Sequence, residues 1–469
     1  MNPVIRYAAI WTALTTLLLS ALAWTEANGF VSARVTNLWA KAIVLIEGPS
    51  GYRATDAFYP PFPYALTLIT QSLTGGASVP IPLLLSAGFG AVLLIIWYRN
   101  LRDKGGFGAL ASGVAVFLLA ANPFFVRALA EGPEAILLLI GTWIYTRGLV
   151  NLRLSGNAPD MMKVAVGLLI ISLSHSYGLL VCAGAMPCII IAARPSMLAA
   201  SPWGYLVSMF FPVAMAAASL LFISAIFNSS LIPLISSAGL PASQDPHLIV
   251  LAGIVPIVVI AVFRTIKTPH HFMPLVAAMG TILGAYILNM NYRIEADPII
   301  AIAPMLSVIP VAMRFWPPVP LRAANMIALL SVSFMVCLTF IGTIKTEGTA
   351  AWYRAVTMRG DNVPSPTQAV GAFLADKSNI MVDVERNPQI VTVLGTVDNL
   401  ILAGTPAYEI ALRGGRITAS YIVTQNVDGN ANTRDRVLLG FPRLNVDMQP
   451  NYKIVFEDAG WRVFQRQVQ

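Results

Sequence analysis

Long apolar runs recur over residues 7–343 and constrain the fold of this chain more than any other feature. A helix needs about 20 apolar residues to cross the hydrocarbon core of a bilayer. Only helices and closed barrels satisfy their backbone hydrogen bonds there. Hydrophobic residues make up 57% of the chain and charged residues 11%, against about 25% charged in soluble domains. The sequence therefore predicts a polytopic α-helical membrane protein.

Eleven apolar stretches reach or approach spanning length. The first follows a single arginine and is long enough to be retained as a helix rather than cleaved as a signal peptide. The stretch 162–193 fits either a hairpin of two helices or one long helix. The predicted spans are residues 7–25, 79–98, 107–122, 134–147, 162–174, 177–193, 203–227, 248–263, 272–289, 298–313 and 323–343.

Charge is distributed unevenly between the loops. With a cytoplasmic N-terminus, the cytoplasmic loops carry twelve basic residues and two acids, and the outer loops carry five basic residues and eight acids. This asymmetry follows the positive-inside rule and predicts that residues 345–469 lie on the outer side of the membrane. The basic residues lie at helix ends, so the net charge of +8 reflects orientation in the bilayer, and no nucleic-acid partner is predicted.

Residues 345–469 differ from the rest of the chain, since they hold thirteen of the thirty basic residues and twelve of the twenty-two acids. "SPTQAVGAFLADKS" predicts a helix with Ser365 as N-cap. "NIMVDVE", "QIVTVLG" and "ITASYIVTQ" predict strands, and "YKIVFE…WRVFQR" predicts a hairpin around residues 458–460. We therefore predict a transmembrane domain over 1–344 and a small extracytoplasmic α/β domain over 345–469.

The predicted first outer loop, residues 26–78, begins with an acid and continues with two amphipathic segments. Glu26 follows the first span directly. Apolar residues then recur at helical spacing over 30–47, which predicts an interfacial helix on the membrane surface. After the "YPP" step at Tyr59–Pro61, a short apolar helix over 62–75 is expected to insert partway from the outside.

These features resemble the GT-C superfamily of membrane glycosyltransferases, which includes protein O-mannosyltransferases and aminoarabinose and arabinofuranosyl transferases. The resemblance rests on "TEANGFVSARVTNLWAKAIVLIEG", "YPPFPYALTLI", "ANPFFVRALAEGPEAILLL", "LIISLSHSYGLLVC" and "NMNYRIEADPIIAIAPML". It implies a GT-C-like fold of about 11 transmembrane helices with juxtamembrane helices, in the bacterial inner membrane. It further implies transfer of a sugar from a polyprenyl-phosphate donor to a glycan, lipid or protein hydroxyl at the periplasmic face.

Such transfer needs a base for the acceptor hydroxyl and positive charge for the departing phosphate. Glu26 is the first candidate for the base and Asp56 the second, although many family members have Asp at the first position. Arg293, beside Tyr292, is the main candidate for the phosphate because guanidinium pairs with phosphate oxygens. His175 is a further candidate. The alternatives are a salt bridge of Arg293 with Glu295 or Asp297 and a His175 that is hydrogen-bonded in the core.

The remaining candidates line the expected cavity or bind the acceptor. Glu134 either orients the acceptor, holds Arg127 or complements a helix dipole, and the "YPP" residues Tyr59, Pro60 and Pro61 form the rim. No metal site is predicted, although Glu26 and Asp56 together could weakly bind a divalent cation. A non-catalytic scaffold subunit of an envelope complex remains the alternative function. A transporter is less favoured because no charge lies clearly in the middle of a span.

Overall fold

The chain divides into two compact units. The structure, a computed structural model, describes residues 3–48, 60–74, 80–228, 259–260, 272–292, 294–295, 297–344, 346–357, 366–414, 417–427, 430–431, 435–446, 449–458 and 460–467. The first unit comprises residues 1–30, 59–63 and 83–359, and the second comprises residues 31–58, 64–82 and 360–469. The predicted Ser365 N-cap lies outside the described residues.

The described part of the chain before residue 360 is helical. A single π-helical turn, Asn100–Lys104, follows the fourth helix. The helices are α1 (Pro3–Ala27), α2 (Ala33–Glu47), α3 (Pro61–Thr74), α4 (Ile81–Arg99), α5 (Ala109–Ala120), α6 (Pro123–Glu131), α7 (Pro133–Ser155), α8 (Ala158–Ser174), α9 (Gly178–Ala192), α10 (Pro195–Ala200), α11 (Pro202–Asn228), α12 (Met273–Tyr292), α13 (Pro298–Ile302), α14 (Met305–Met313), α15 (Arg322–Ile341) and α16 (Glu347–Val356).

Among the described residues, six helices are long and apolar enough to cross a membrane: α1, α4, α7, α11, α12 and α15. The pair α5 and α6, bent by 59°, would make a seventh if it forms one span. The prediction of a polytopic helical membrane protein is thereby confirmed. The stretch 162–193 forms a hairpin of two helices, because α8 ends at Ser174 and α9 begins at Gly178. The predicted span 248–263 falls almost entirely outside the described residues.

Glycines let the helices of the first unit approach closely. A Cβ added at Gly167 on α8 would lie 2.6 Å from the Tyr145 backbone nitrogen on α7. One added at Gly184 on α9 would lie 2.5 Å from the Thr281 carbonyl oxygen on α12. The Tyr145 and Thr281 hydroxyls are hydrogen-bonded at 2.8 Å. Small residues at such crossings supply packing that the hydrophobic effect cannot supply between helices in lipid.

Replacing Gly184 by alanine should destabilise the first unit by about 1–3 kcal/mol, the usual cost of overpacking. The methyl group would meet backbone, which cannot move aside as a side chain can. The matched control is Gly113→Ala on α5, where an added Cβ meets nothing within 4 Å and helix propensity favours alanine. Thermal unfolding of the two variants in detergent measures the difference, and equal midpoints would contradict the close crossing.

The second unit contains a mixed sheet. The strands are β1 (Ile380–Met381), β2 (Leu400–Ile401), β3 (Tyr421–Val427), β4 (Asn430–Ala431), β5 (Tyr452–Asp458) and β6 (Trp461–Arg466). Their order is β2-β1-β3-β6-β5, with β4 paired to β3. The pairs β1–β2 and β1–β3 are parallel, whereas β3–β6 and β5–β6 are antiparallel. The predicted hairpin is confirmed, since Asp458 pairs with Trp461.

The helices of this unit are α17 (Pro366–Leu374), α18 (Pro388–Leu394), α19 (Pro406–Leu412) and α20 (Arg436–Gly440), and Pro442–Val446 is a 3-10 turn. The prediction of a strand at "QIVTVLG" was wrong, because these residues form α18. Pro388 occupies the first helical position, and Gly395, with φ of +69°, ends the helix in the left-handed region. The β-branched composition favours a strand, but Ile390 and Val391 are buried in a cluster that covers the sheet.

Helix α2 belongs to this second unit. Its buried residues Ala40, Ile43 and Val44 share one hydrophobic cluster with Ile390 of α18 and Val423 of the sheet. The apolar face that the sequence assigned to a membrane surface is therefore covered by protein. The amphipathic pattern was read correctly, but composition alone does not distinguish a membrane partner from a protein partner.

Two acids lie close together beyond the sheet. The carboxylate of Asp435 caps α20 by accepting from the backbone N–H groups of Val437 and Leu438, at 2.8 and 3.3 Å. Asp383 follows β1 and accepts from the Arg436 backbone N–H at 2.8 Å. Burial, and then the charge of Asp383, raise the pKa of Asp435. Ionisation of Asp435 therefore opposes folding. The stability that its protonated form contributes is fully present below the pKa that Asp435 has in the unfolded chain, and it is lost as the pH rises through the higher pKa that Asp435 has in the folded protein.

Replacing Asp435 by asparagine should stabilise the protein near pH 7 by about 1 kcal/mol or less, because asparagine caps helices as well as aspartate does. The Asn387 amide, whose Nδ2 donates to Asp435 Oδ2 at 3.0 Å, then has to turn over so that its Oδ1, which has no partner among the described residues, accepts from the new amide. The gain should shrink as the pH falls toward 4, where the wild-type carboxyl is protonated. Asp435→Ala removes the cap and should cost about 1 kcal/mol. Thermal unfolding of the full chain at both pH values checks this, and a gain independent of pH would contradict the electrostatic cause.

Candidate active site

Arg127 is the centre of a buried polar network in the first unit. It lies on the short helix α6, where the Asn122 side chain accepts a 2.9 Å hydrogen bond from the Phe124 backbone N–H. Pro123 occupies the first helical position, where its missing N–H leaves no bond unmade. The helix ends at Gly132, whose φ of 110° favours glycine. Arg127 itself is 2% exposed, so its charge requires partners inside the protein.

Two carboxylates neutralise the Arg127 guanidinium. Its Nη1 lies 2.6 Å from Glu131 Oε2, and its Nη2 lies 3.0 Å from Asp297 Oδ2. The Arg127 Nε donates to Thr349 Oγ1 at 3.4 Å, and the Thr349 hydroxyl donates to Asp297 Oδ2 at 2.5 Å. The guanidinium also lies over the Phe30 ring, 5.4 Å from its centroid. The network thus joins α6, the segment before α13, and α16.

Glu295 and His175 form a second buried pair beside this network. His175 Nε2 lies 3.5 Å from Glu295 Oε2, and His175 Nδ1 accepts from the Tyr177 backbone N–H at 3.0 Å. In the neutral ring the proton therefore sits on Nε2. Glu295 Oε1 accepts from the Asp297 backbone N–H at 3.0 Å, and Asn289 bonds both backbone groups of Glu295. The α8–α9 hairpin tip is thereby tied to the segment that carries Asp297.

Glu26 differs from these acids in its surroundings. It lies in the last turn of α1 and is half-buried. Its backbone carbonyl accepts from the Gly29 N–H at 2.9 Å. Within the part of the chain that the structure describes, its carboxylate makes no hydrogen bond or ion pair. Phe30, four residues after Glu26, contacts Arg127. The segment that carries Glu26 therefore reaches the buried network.

The other predicted positions are less closely associated. Glu134 lies in the first turn of α7 and is 5% exposed, where a carboxylate complements the helix dipole. Pro60 is buried and Pro61 begins α3. Tyr292 ends α12 and is 62% exposed. The candidates Asp56, Tyr59 and Arg293 lie outside the described residues. The described residues contain no group of three or more His, Cys, Asp or Glu side chains that could hold a metal ion.

The chain resembles a solved structure over nearly its whole length. The match to the crystal structure of ArnT from Cupriavidus metallidurans in the apo state covers 99% of this chain and 98% of that chain, with a TM-score of 0.56 and 11% sequence identity. The chain has the ArnT fold. At this level of identity the likeness shows the fold, and the GT-C-like membrane fold predicted from the sequence is thereby confirmed. No family model and no curated protein matches the sequence.

The partners of Arg127 were not predicted from the sequence. Glu131 stands four residues after Arg127, which is the spacing of an ion pair on one helix face, so this partner could have been found. Asp297 and Thr349 are 170 and 222 positions away in sequence, and no local signal links them to Arg127. One alternative from the sequence was a salt bridge of Arg293 with Glu295 or Asp297, whereas in the structure Glu295 lies beside His175 and Asp297 is paired with Arg127.

Proposed function

We propose that this protein is a membrane glycosyltransferase of the GT-C type. In this proposal it transfers a sugar from a polyprenyl-phosphate carrier to a hydroxyl of a glycan, lipid or protein at the periplasmic face of a bacterial inner membrane. The fold supports the enzyme class. The observation that carries the proposal is the half-buried carboxylate of Glu26, which lies at the end of a membrane-spanning helix and has no partner among the described residues.

A general base must have a lone pair available for the proton that it takes. Glu131, Glu295 and Asp297 are less suited, since each carboxylate is buried against a cationic or histidine partner and is less accessible to an acceptor hydroxyl. Glu26 meets this requirement, because its carboxylate is half-buried at the end of α1 and has no partner among the described residues. Asp56 remains the rival base in the proposal, on the sequence argument alone.

The departing carrier phosphate needs a cation. We assign this role to Arg293, which in the sequence follows the exposed Tyr292 and stands two residues before Glu295. Arg127 is less suited because two carboxylates already neutralise it. The pairing of His175 with Glu295 supports a positioning role for His175 beside the phosphate. In the proposal Glu134, Tyr59, Pro60 and Pro61 keep their sequence-based roles at the acceptor side of the cavity.

The test of the donor is mass spectrometry of lipids that copurify with the full-length protein. We expect polyprenyl phosphate or its glycosylated form with wild type, and its loss with Arg293→Ala. The matched control is Arg354→Ala, an exposed arginine on α16, which should retain the lipid. Absence of such a lipid in wild type, even after synthetic carrier is added, would overturn the proposed donor.

A further inference from the structure

A pair of arginines lies at the opposite end of the helices from the candidate active site. Arg147 on α7 stands thirteen residues after Glu134, which is about 20 Å along a helix. Arg314 directly follows the apolar helix α14. The hydrocarbon core is about 30 Å thick, so the two arginines lie near the opposite membrane interface.

Contacts bring the two guanidinium groups together. Arg314 Nη1 donates to Asn151 Oδ1 at 3.1 Å, and Asn151 stands four residues after Arg147 on the same face of α7. Both arginines are half-buried. Burial lowers the pKa of Arg314, and the positive charge of Arg147 lowers it further. The two like charges are therefore held near each other and partly away from water, which is costly unless an anion joins them.

Among the described residues, no carboxylate lies within ion-pair distance of either arginine. Neither arginine has an ion pair within the described part of the chain. The charge of Arg147 acts on the carboxylate of Asp160, but that carboxylate is bound by Lys163 and Ser155, each at 2.7 Å.

The indole N–H of Trp143, beside Arg147, is a third hydrogen-bond donor without an acceptor among the described residues. The Arg147 guanidinium lies over the Trp143 ring, 5.0 Å from its centroid. Trp143 is 7% exposed, and its indole Nε1 has no hydrogen-bond partner among the described residues. Stacking on an aromatic ring holds a guanidinium in one orientation while leaving its in-plane N–H donors available. The site thus presents oriented donors and two positive charges.

We propose that the Arg147–Arg314 pair binds the phosphate headgroup of an anionic phospholipid. Guanidinium groups pair with phosphate oxygens through two parallel hydrogen bonds. The half-buried position at the end of apolar helices matches the depth of a lipid headgroup, and basic pockets between transmembrane helices are known to bind such headgroups. The site is separate from the proposed donor site and does not depend on the proposed activity.

The experiment is native mass spectrometry of the full-length protein in detergent, titrated with phosphatidylglycerol or, for comparison, phosphatidylcholine. We expect selective binding of phosphatidylglycerol to wild type and at least about tenfold weaker binding to Arg147→Gln and to Arg314→Gln, since each loses a charged pair of hydrogen bonds. Arg102→Gln, which removes an exposed arginine, should bind as wild type does. Equal losses in all three variants, or no loss in the first two, would overturn the proposal.

A second measurement separates binding from misfolding and lipid from free phosphate. In lipid-free detergent, Arg147→Gln should unfold at the same temperature as wild type or higher, because it removes like-charge repulsion. Phosphatidylglycerol should raise the wild-type unfolding temperature and leave that of the variant unchanged. Inorganic phosphate at about 10 mM should affect neither protein, although this concentration would stabilise a free-phosphate site with a Kd of about 0.1 mM. Protection by inorganic phosphate equal to that by the lipid would overturn the assignment to a lipid headgroup.

Discussion

Replacing Arg127 by methionine should destabilise the first unit by about 3–5 kcal/mol, the usual cost of removing one partner from a buried ion pair. Methionine fills much of the arginine volume but leaves the carboxylates of Glu131 and Asp297 buried without their counter-ion. The measurement is thermal or denaturant unfolding of the full chain in detergent. Arg354→Met on the exposed side of α16 is the matched control and should change stability by less than about 0.5 kcal/mol.

A rescue distinguishes electrostatics from packing. If uncompensated charge is the cause, the triple variant Arg127→Met, Glu131→Gln, Asp297→Asn should recover most of the lost stability, because replacing a whole buried charge cluster by neutral groups is often close to neutral. Asparagine can also keep the cap of α13, where Asp297 accepts from the Ile299 backbone N–H at 3.0 Å. A triple variant as unstable as the single one would show that the arginine acts through packing instead.

The sequence predicted the helices of the first unit well because each is defined locally. A run of apolar residues bounded by charges or by Pro and Gly specifies a membrane helix without reference to its neighbours. Helix α18 was missed because the β-branched residues of "QIVTVLG" favour a strand. In the structure this segment packs on the sheet as a helix, and tertiary packing overrides local propensity in such short segments. The partner of α2 was likewise undetermined, because an amphipathic face indicates burial without naming what buries it.

The candidate site was predictable only in part. The sequence identified Glu26, Arg127 and His175 as chemically notable residues near helix ends, and the structure gives Arg127 and His175 buried ionic partners. Those partners could not be assigned because pairs such as Arg127 with Asp297 join helices far apart in sequence. Sequence reasoning also could not show that Glu26 is half-buried at the end of α1 with no partner among the described residues, and this combination is what makes it the candidate base.

Replacing Glu26 by glutamine should lower sugar transfer by about 10²–10⁴-fold, the usual contribution of a general base. Glutamine has the same size and remains able to form hydrogen bonds, so folding should be retained. Because the carboxylate has no partner among the described residues, its loss leaves no buried group unsatisfied. Donor binding should also be retained, and the loss should therefore appear in kcat rather than in KM. The assay follows transfer from a synthetic polyprenyl-phosphate sugar, and unfolding in detergent confirms integrity.

The control for this variant is Glu47→Gln, which changes an exposed acid at the end of α2 and should leave transfer unchanged. Asp56→Asn, which removes the other proposed base at unchanged size, completes the comparison. If Glu26 is the base, its variant loses activity across the whole pH range, while the Asp56 variant keeps the wild-type pH profile with at most a change in KM. The opposite pattern would transfer the role to Asp56. Full activity in both variants would remove the general-base argument and, with it, the observation that carries the proposed function.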